Sequence, residues 1–280
     1  MQTQRTFLRV SFTTVEEHDE LVGRLDVPAF LGAEHADDRL ILWLDPTKLD
    51  GSDVGLLLSN CIGAPMTELE IEHVPTTDWL KQWRDSLVPV TIAGVVTIMP
   101  SATEAAQAHT DIVIALEPKM AFGTGHHATT QLCIELLLDT VETGQQWIDL
   151  GTGSGLLAIV AAKLGAAQVI ALDCDPDAIA EARENISANN CDDTIEVRQA
   201  DVSVEEIPSS DGIVANLHSE LLLQLGQRIA AALRPGGAAI VSGILSSQSN
   251  EVVVELTRWG LSLLAKRERG EWVALRFSKR

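Results

Sequence analysis

The strongest constraint on the fold is residues 147–158, Trp-Ile-Asp-Leu-Gly-Thr-Gly-Ser-Gly-Leu-Leu-Ala. An apolar strand with an acid near its end turns on Gly151, Gly153 and Gly155 and runs at once into an apolar helical pattern. Glycine suits such a turn for two reasons. The tight passage from strand to helix needs positive φ, and a ligand lying against the backbone leaves no room for a Cβ. Strand, glycine turn and helix in that order open a parallel α/β sheet. The spacing then narrows the ligand. A dinucleotide fingerprint, G-x-G-x-x-G, needs glycine at 156, where the chain has Leu156. An acid followed by G-x-G-x-G suits a nucleoside carrying an amino acid, with no pyrophosphate to crowd.

Asp173 follows Gly151 by 22 residues and closes the apolar run 168–172. An acid at the tip of the second strand, about 20 residues past the turn, is placed to grip a pair of ribose hydroxyls. Its competing role is a helix N-cap, because Asp175-Pro176 and a helical pattern follow directly. Asp175 fits that cap better and leaves Asp173 to the ligand.

At 280 residues, 46% of them hydrophobic, the chain can bury one large core and a small one. No hydrophobic leader follows residues 1–5, and the most apolar window, 156–172, is interrupted by Lys163 and Gln168. Neither a signal peptide nor a membrane span is expected. Cys61, Cys133, Cys174 and Cys191 lack C-x-x-C spacing, which suits reduced thiols in a cytosol. A cytoplasmic protein without a metal centre is therefore the expectation. The net charge of −20 argues against direct nucleic-acid binding, which needs clustered Lys and Arg. It is compatible with a basic macromolecular partner, and equally with plain solubility or a salty cytoplasm.

Residues 5–12 and 39–45 read as strands, and 16–25 and 54–61 as helices. A further strand, 67–74, sets Leu69, Ile71 and Val74 against an acidic face of Glu68, Glu70 and Glu72. Residues 1–74 thus form a small α+β domain. With 14 acidic against 5 basic residues and no catalytic constellation, its expected role is docking. Residues 75–92 read as a linker with a short hinge helix, where Trp79 and Trp83 stand one turn apart as packing anchors.

The second domain spans residues 93–280. Strands at 90–92, 95–99 and 112–116 lead to Phe122-Gly123-Thr124-Gly125-His126-His127-Ala128-Thr129-Thr130 and a helix over 131–138. Backbone N–H groups and hydroxyls ahead of a helix favour a carboxylate, such as that of a bound amino acid. His126 and His127 lack further ligands at metal spacing, and one of them acting as a proton acceptor stays open. Beyond the glycine turn, helices at 177–189, 220–233 and 248–259 alternate with strands at 194–199, 213–216 and 238–242. Arg234-Pro235-Gly236-Gly237 stops the second of these helices, and strands 261–267 and 271–277 close the chain as an antiparallel pair. Asp201 follows the third strand of the sheet, where it could accept from an adenine amine or simply solvate a loop. Asn216 closes the fourth strand and could orient ligand or substrate, or cap the segment that follows.

Taken together these blocks resemble one family. Phe122 to Gly125, His127, Thr129-Thr130, Asp149 to Gly155, Asp173 to Pro176, Ala182 to Asn185, Val214 to Asn216, Ser242 to Leu245 and Gln248 are similar to the bacterial PrmA family. Its members methylate large-subunit ribosomal protein eleven. The likeness extends back to Asp78-Trp79, Trp83-Arg84 and Pro89. It implies a seven-stranded, Rossmann-like class I methyltransferase domain behind a small α+β recognition domain on a helical hinge. S-adenosyl-L-methionine is then the cofactor, contacted by Thr130, Gly151, Asp173 and Asn216, with Gly153 in the same turn. The implied reaction is methyl transfer to lysine side chains or the N-terminal amine of that ribosomal protein; separately, the chain is expected to be a monomer. The alternative on the same scaffold is another protein lysine or a small molecule. No N-P-P-[YF] follows Val214, and no general base is assigned. The family loop runs Thr-His-Pro-Thr-Thr; here His126 replaces its first Thr and Ala128 its Pro.

Overall fold

The computed structural model describes residues 6–13, 29–36, 39–49, 67–75, 89–99, 110–116 and 125–280. The chain divides into two compact units, Met1–Leu87 and Val88–Arg280.

The first unit carries a four-stranded antiparallel sheet built from β1 (Thr6–Thr13), β2 (Phe30–Ala36), β3 (Arg39–Leu44) and β4 (Thr67–Pro75), in the order β2-β3-β1-β4. Alternation drives it. Leu8, Val10 and Phe12 pack with Leu40, Leu42 and Leu44 on one face, and Phe7, Ile41 and Trp43 cluster on the other. Strand β2, Phe-Leu-Gly-Ala-Glu-His-Ala, has no such alternation and escapes a sequence reading. The helical patterns at 16–25, 54–61 and 79–87 lie outside the described residues.

Register corrects the reading of β4. Val10 opposes Ile71 while Phe7 opposes Val74, so Val74 shares the face of Glu70 and Glu72 and not that of Leu69 and Ile71. Leu69 and Ile71 are 38% and 43% exposed on this edge strand. The face carrying the glutamates is not bare acid either. Arg9 pairs with Glu72 at 3.2 Å, and Arg39 reaches Glu70 at 3.1 Å and Glu68 at 3.3 Å. Exposed pairs of this kind are worth at most about 1 kcal/mol each, but they do neutralise the local field.

The second unit opens with a small sheet of β5 (Val90–Ile92), β6 (Val96–Met99) and β7 (Ile112–Ala115), in which β5 pairs antiparallel and β7 parallel to β6. Helix α1 (Ala128–Leu138) follows, then β8 (Gln146–Leu150), α2 (Leu156–Lys163), β9 (Gln168–Asp173), α3 (Pro176–Ala188), β10 (Ile195–Gln199) and β11 (Ser210–Asn216). Helix α4 (Ser219–Ala232), β12 (Leu233–Leu245), α5 (Ser249–Arg258), β13 (Leu261–Arg269) and β14 (Trp272–Lys279) complete the unit. The large sheet has the order β10-β9-β8-β11-β12-β14-β13. Its first five strands are parallel, and β14 pairs antiparallel with both β12 and β13.

Both faces of this sheet are covered, which is why its strands are near-continuous apolar runs. One buried cluster joins Trp147, Val169, Val214 and Ile240 to α1, α2 and the inner side of α3. The other joins Ile148, Leu150, Ile213 and Val241 to α4 and α5. Asp175 caps α3 by accepting from Asp177 N–H, with Pro176 at its first position, and His218 caps α4 by accepting from Leu221 N–H. Arg234-Pro235-Gly236-Gly237 ends α4 as read, yet it lies within β12, where pairing with β11 jumps from Ser210–Leu233 to Gly212–Ala238. Among the described residues Cys133, Cys174 and Cys191 are free, and no helix is long and apolar enough to cross a membrane.

Candidate functional site

The carboxyl ends of the parallel strands are where ligands of open α/β sheets bind, because loops there diverge around the reversal of strand order. Here the reversal lies between β8 and β11. The glycine turn leaves β8 with Gly151, Gly153 and Gly155 at φ of 72°, 53° and 83°. Gly151 and Thr152 donate to the Leu172 carbonyl at 2.8 and 2.9 Å, which folds the turn onto the end of β9. A Cβ at Gly155 would sit 3.3 Å from both Cα and Cβ of Ala182, so α3 packs directly on the bend.

Two carboxylates organise the turn from opposite sides. Asp149 is fully buried; its Oδ2 accepts from the Thr152 hydroxyl at 2.7 Å and from Ala158 N–H at 3.1 Å. Its Oδ1 is buried with no partner. Burial raises its pKa to about 7, against the opposing pull of those two hydrogen bonds, with the Asp173 charge adding to the rise. Asp173 stands half-buried at the tip of β9, accepting from Gly153 N–H at 2.9 Å through Oδ2 and from Asp175 N–H at 3.0 Å through Oδ1. Each carboxylate oxygen keeps a lone pair beyond these bonds. Two acceptors side by side fit the two O–H donors of a vicinal diol, and so fit the ribose of S-adenosyl-L-methionine.

Across the sheet, Asn216 ends β11 beside the first turn of α1. Its Nδ2 donates to the Thr130 hydroxyl at 3.3 Å, and its Oδ1 is buried without a donor. Because His218 supplies the cap of α4, Asn216 is not spent on it. Thr130 is itself buried. Leu217 N–H donates to the Ser242 carbonyl at 3.0 Å, and Gly243, at φ 86°, lets the Leu217 backbone lie where a Cβ would come within 2.4 Å of its oxygen.

Of the two adjacent histidines, His127 has a structural role. His127 caps α1: its Nδ1 lies 2.7 Å from the Thr129 hydroxyl and accepts from Thr129 N–H at 3.4 Å. Its ring packs edge-on against Trp272, centroids 4.9 Å apart. Burial lowers its pKa, so the neutral imidazole is favoured. The lone pair at Nδ1 is thereby committed to the cap, which leaves that nitrogen unsuited to accept a substrate proton. Phe122, Gly123 and Thr124 lie outside the described residues.

Gly151, Gly153 and Asp173 are thus brought together at the ends of β8 and β9, and Thr130 and Asn216 form a hydrogen-bonded pair at the end of β11. Asp201 is exposed and its Oδ1 holds the Ser203 hydroxyl at 2.5 Å and Ser203 N–H at 2.9 Å, bonds that lower its pKa. Sequence reading missed three supports. Asn185 Nδ2 holds the Ser154 carbonyl at 2.9 Å. Asn189 bonds Ala115 through both N–H and C=O, at 3.0 and 2.7 Å. Gln131 holds the carbonyls of Gly125 and His126. Only the position of Asn185 carried a signal, within the Ala-Arg-Glu-Asn block.

The model of one family, "Ribosomal protein L11 methyltransferase (PrmA)", matches residues 4–280. A relative of that name from Chloroflexus aurantiacus is 37% identical over 235 residues, covering 75% of this chain and 72% of its own. Another, from Desulfitobacterium hafniense, is 42% identical over 203 residues, covering 72% of this chain but 65% of its own length. Among solved structures, a ribosomal protein L11 methylase from Lactobacillus delbrueckii subsp. bulgaricus superposes with a TM-score of 0.63 at 29% identity, covering 69% of this chain and all of that one.

Proposed function

The chain belongs to the ribosomal protein L11 methyltransferase family, and from that membership we propose that it transfers methyl groups from S-adenosyl-L-methionine to amines of ribosomal protein L11. The observation that carries the reading is the pairing of the glycine turn and Asp173 on one side with Thr130 and Asn216 on the other. When bound there, the cofactor supplies an electrophilic methyl group on a sulfonium.

The residues have separable tasks. Gly151 and Gly153 expose backbone where side chains would block a nucleoside, and Asp173 grips its two hydroxyls. Asn216 presents its buried Oδ1 as an acceptor for an N–H of the incoming amine, orienting the nitrogen lone pair towards the methyl. Thr130 fixes the amide by accepting a hydrogen bond from its Nδ2. A lysine with a pKa of about 10.4 arrives protonated at neutral pH and must be delivered uncharged. Desolvation between the buried strand ends favours that neutral form. The rest is positioning, since holding two reactants in line replaces the entropy of their encounter.

The first unit is read as the recognition module for a basic protein, the excess of 14 acidic over 5 basic residues in 1–74 suiting a cationic partner. We place the chain in the cytoplasm, as a monomer. Incubating it with isotopically labelled cofactor and the proteins of unmethylated large subunits tests the reading. One small basic band should take up label, and label confined to small molecules would overturn it.

A further inference from the structure

We propose that Gln131 is a positioning residue that holds the turn entering α1 in its ligand-binding shape, itself aimed by the β13–β14 hairpin. This rests on the reading above that Thr130, the preceding residue, borders the cofactor.

The Gln131 Nε2 donates to two consecutive carbonyls, Gly125 at 3.1 Å and His126 at 3.0 Å. Both hydrogens of one amide are thereby used on one short piece of chain. The amide oxygen of Gln131 accepts from Nη1 of Arg269, whose Nη2 is held by Glu135 Oε1 at 2.6 Å, one turn along α1. A guanidinium has only donors, so whichever end of the amide faces Arg269 must be the oxygen. The nitrogen is then forced to face the turn. Arg269, 138 residues away in sequence, thus decides which way Gln131 points.

Three residues further, Trp272 packs edge-on against His127, the cap of the same helix. The hairpin therefore touches the start of α1 twice. The links run backward, to carbonyls that precede the helix, while His127 already provides the helix cap. What Gln131 fixes is the path of the chain before Thr129 and Thr130, where Gly125 adopts φ 84° with Ile98 filling the space of a Cβ. Loss of the link should consequently alter ligand binding more than stability.

Gln131→Glu separates the two. It keeps the side-chain length and the acceptor for Arg269, but removes both donors and sets a carboxylate against two carbonyl oxygens. The full-length variant and wild type are titrated with S-adenosylhomocysteine by calorimetry, melted without ligand, and compared by amide hydrogen exchange over residues 125–130. Weaker binding by about tenfold or more, an unchanged melting temperature and faster exchange are expected. Wild-type affinity in the variant overturns the proposal, as does a loss of affinity that merely tracks a lowered melting temperature. Should the wild type itself not bind the probe, the cofactor reading fails instead. Exchange then decides: faster in Gln131→Glu supports the positioning role, and unchanged exchange overturns it.

Discussion

Asn216 and Thr130, 86 residues apart, meet through a 3.3 Å hydrogen bond that leaves the other end of the Asn216 amide buried and unanswered. An unsatisfied buried acceptor costs about 1–3 kcal/mol, and such costs concentrate where a ligand supplies the missing partner.

Asn216→Ala should therefore lower kcat for methyl transfer by about 10²-fold, the usual scale for one transition-state hydrogen-bond group. Stability of the free protein should move by only about 1 kcal/mol, because the lost bond to Thr130 is offset by removal of the orphaned oxygen. Steady-state kinetics and urea unfolding read both quantities. An unchanged kcat would remove Asn216 from the reacting centre.

Asp149 makes the free protein sensitive to pH. Its folded pKa, about 7, lies above the ordinary 3.8, so between these values the folded state binds more protons than the unfolded one. Stability from this group is fully present below about pH 4 and is lost as pH rises through 7, by up to about 4 kcal/mol. Asp149→Asn should flatten that part of the curve. Urea unfolding across this range checks it, and parallel profiles for variant and wild type would contradict it.

Gly243 cannot carry a side chain. A Cβ would lie 2.4 Å from the Leu217 oxygen, and the residue sits at φ 86°. Gly243→Ala should cost about 3 kcal/mol or more and lower activity as Leu217 drags Asn216 out of place. Gly260, at φ 89° with nothing within 4 Å of its Cβ position, is the control. Gly260→Ala should show the backbone strain alone, about 1–2 kcal/mol, with activity intact.

A stabilising change is available at the β5–β6 turn. Ala93 and Gly94 both have positive φ, 50° and 71°, and Val95 N–H donates to the Ile92 carbonyl at 3.0 Å. Turns of type I′ with positive φ at both central positions prefer Asn-Gly. Ala93→Asn should add about 0.5–1 kcal/mol and raise the melting temperature by about 1–4 °C.

What the sequence made legible was local. The glycine turn, the Asp175-Pro176 cap and the alternation of β1 are written within a few residues, and each stands where the pattern put it. Strand β2 was hidden because Gly32 and the small residues around it mask any alternation. Val74 lies on the face opposite to Leu69 and Ile71 because a strand's period of two turns a spacing of three residues into a change of face. A histidine ahead of a helix reads equally as ligand, base or cap, and the ring's contact with Trp272, far along the chain, has no local signature. Gln131–Arg269, Asn189–Ala115 and Asn216–Thr130 span 138, 74 and 86 residues. No local pattern encodes such pairs, since only the finished sheet order brings them together.

The most direct test is a calorimetric titration of wild type and Asp173→Ala with S-adenosylhomocysteine, with a nicotinamide dinucleotide in parallel. Asp173 should seat the ribose, so the wild type should bind the nucleoside and not the dinucleotide. The variant should lose about 10²-fold or more in affinity while melting at the same temperature. Equal affinity of variant and wild type, or preference for the dinucleotide, would contradict the assignment of this turn.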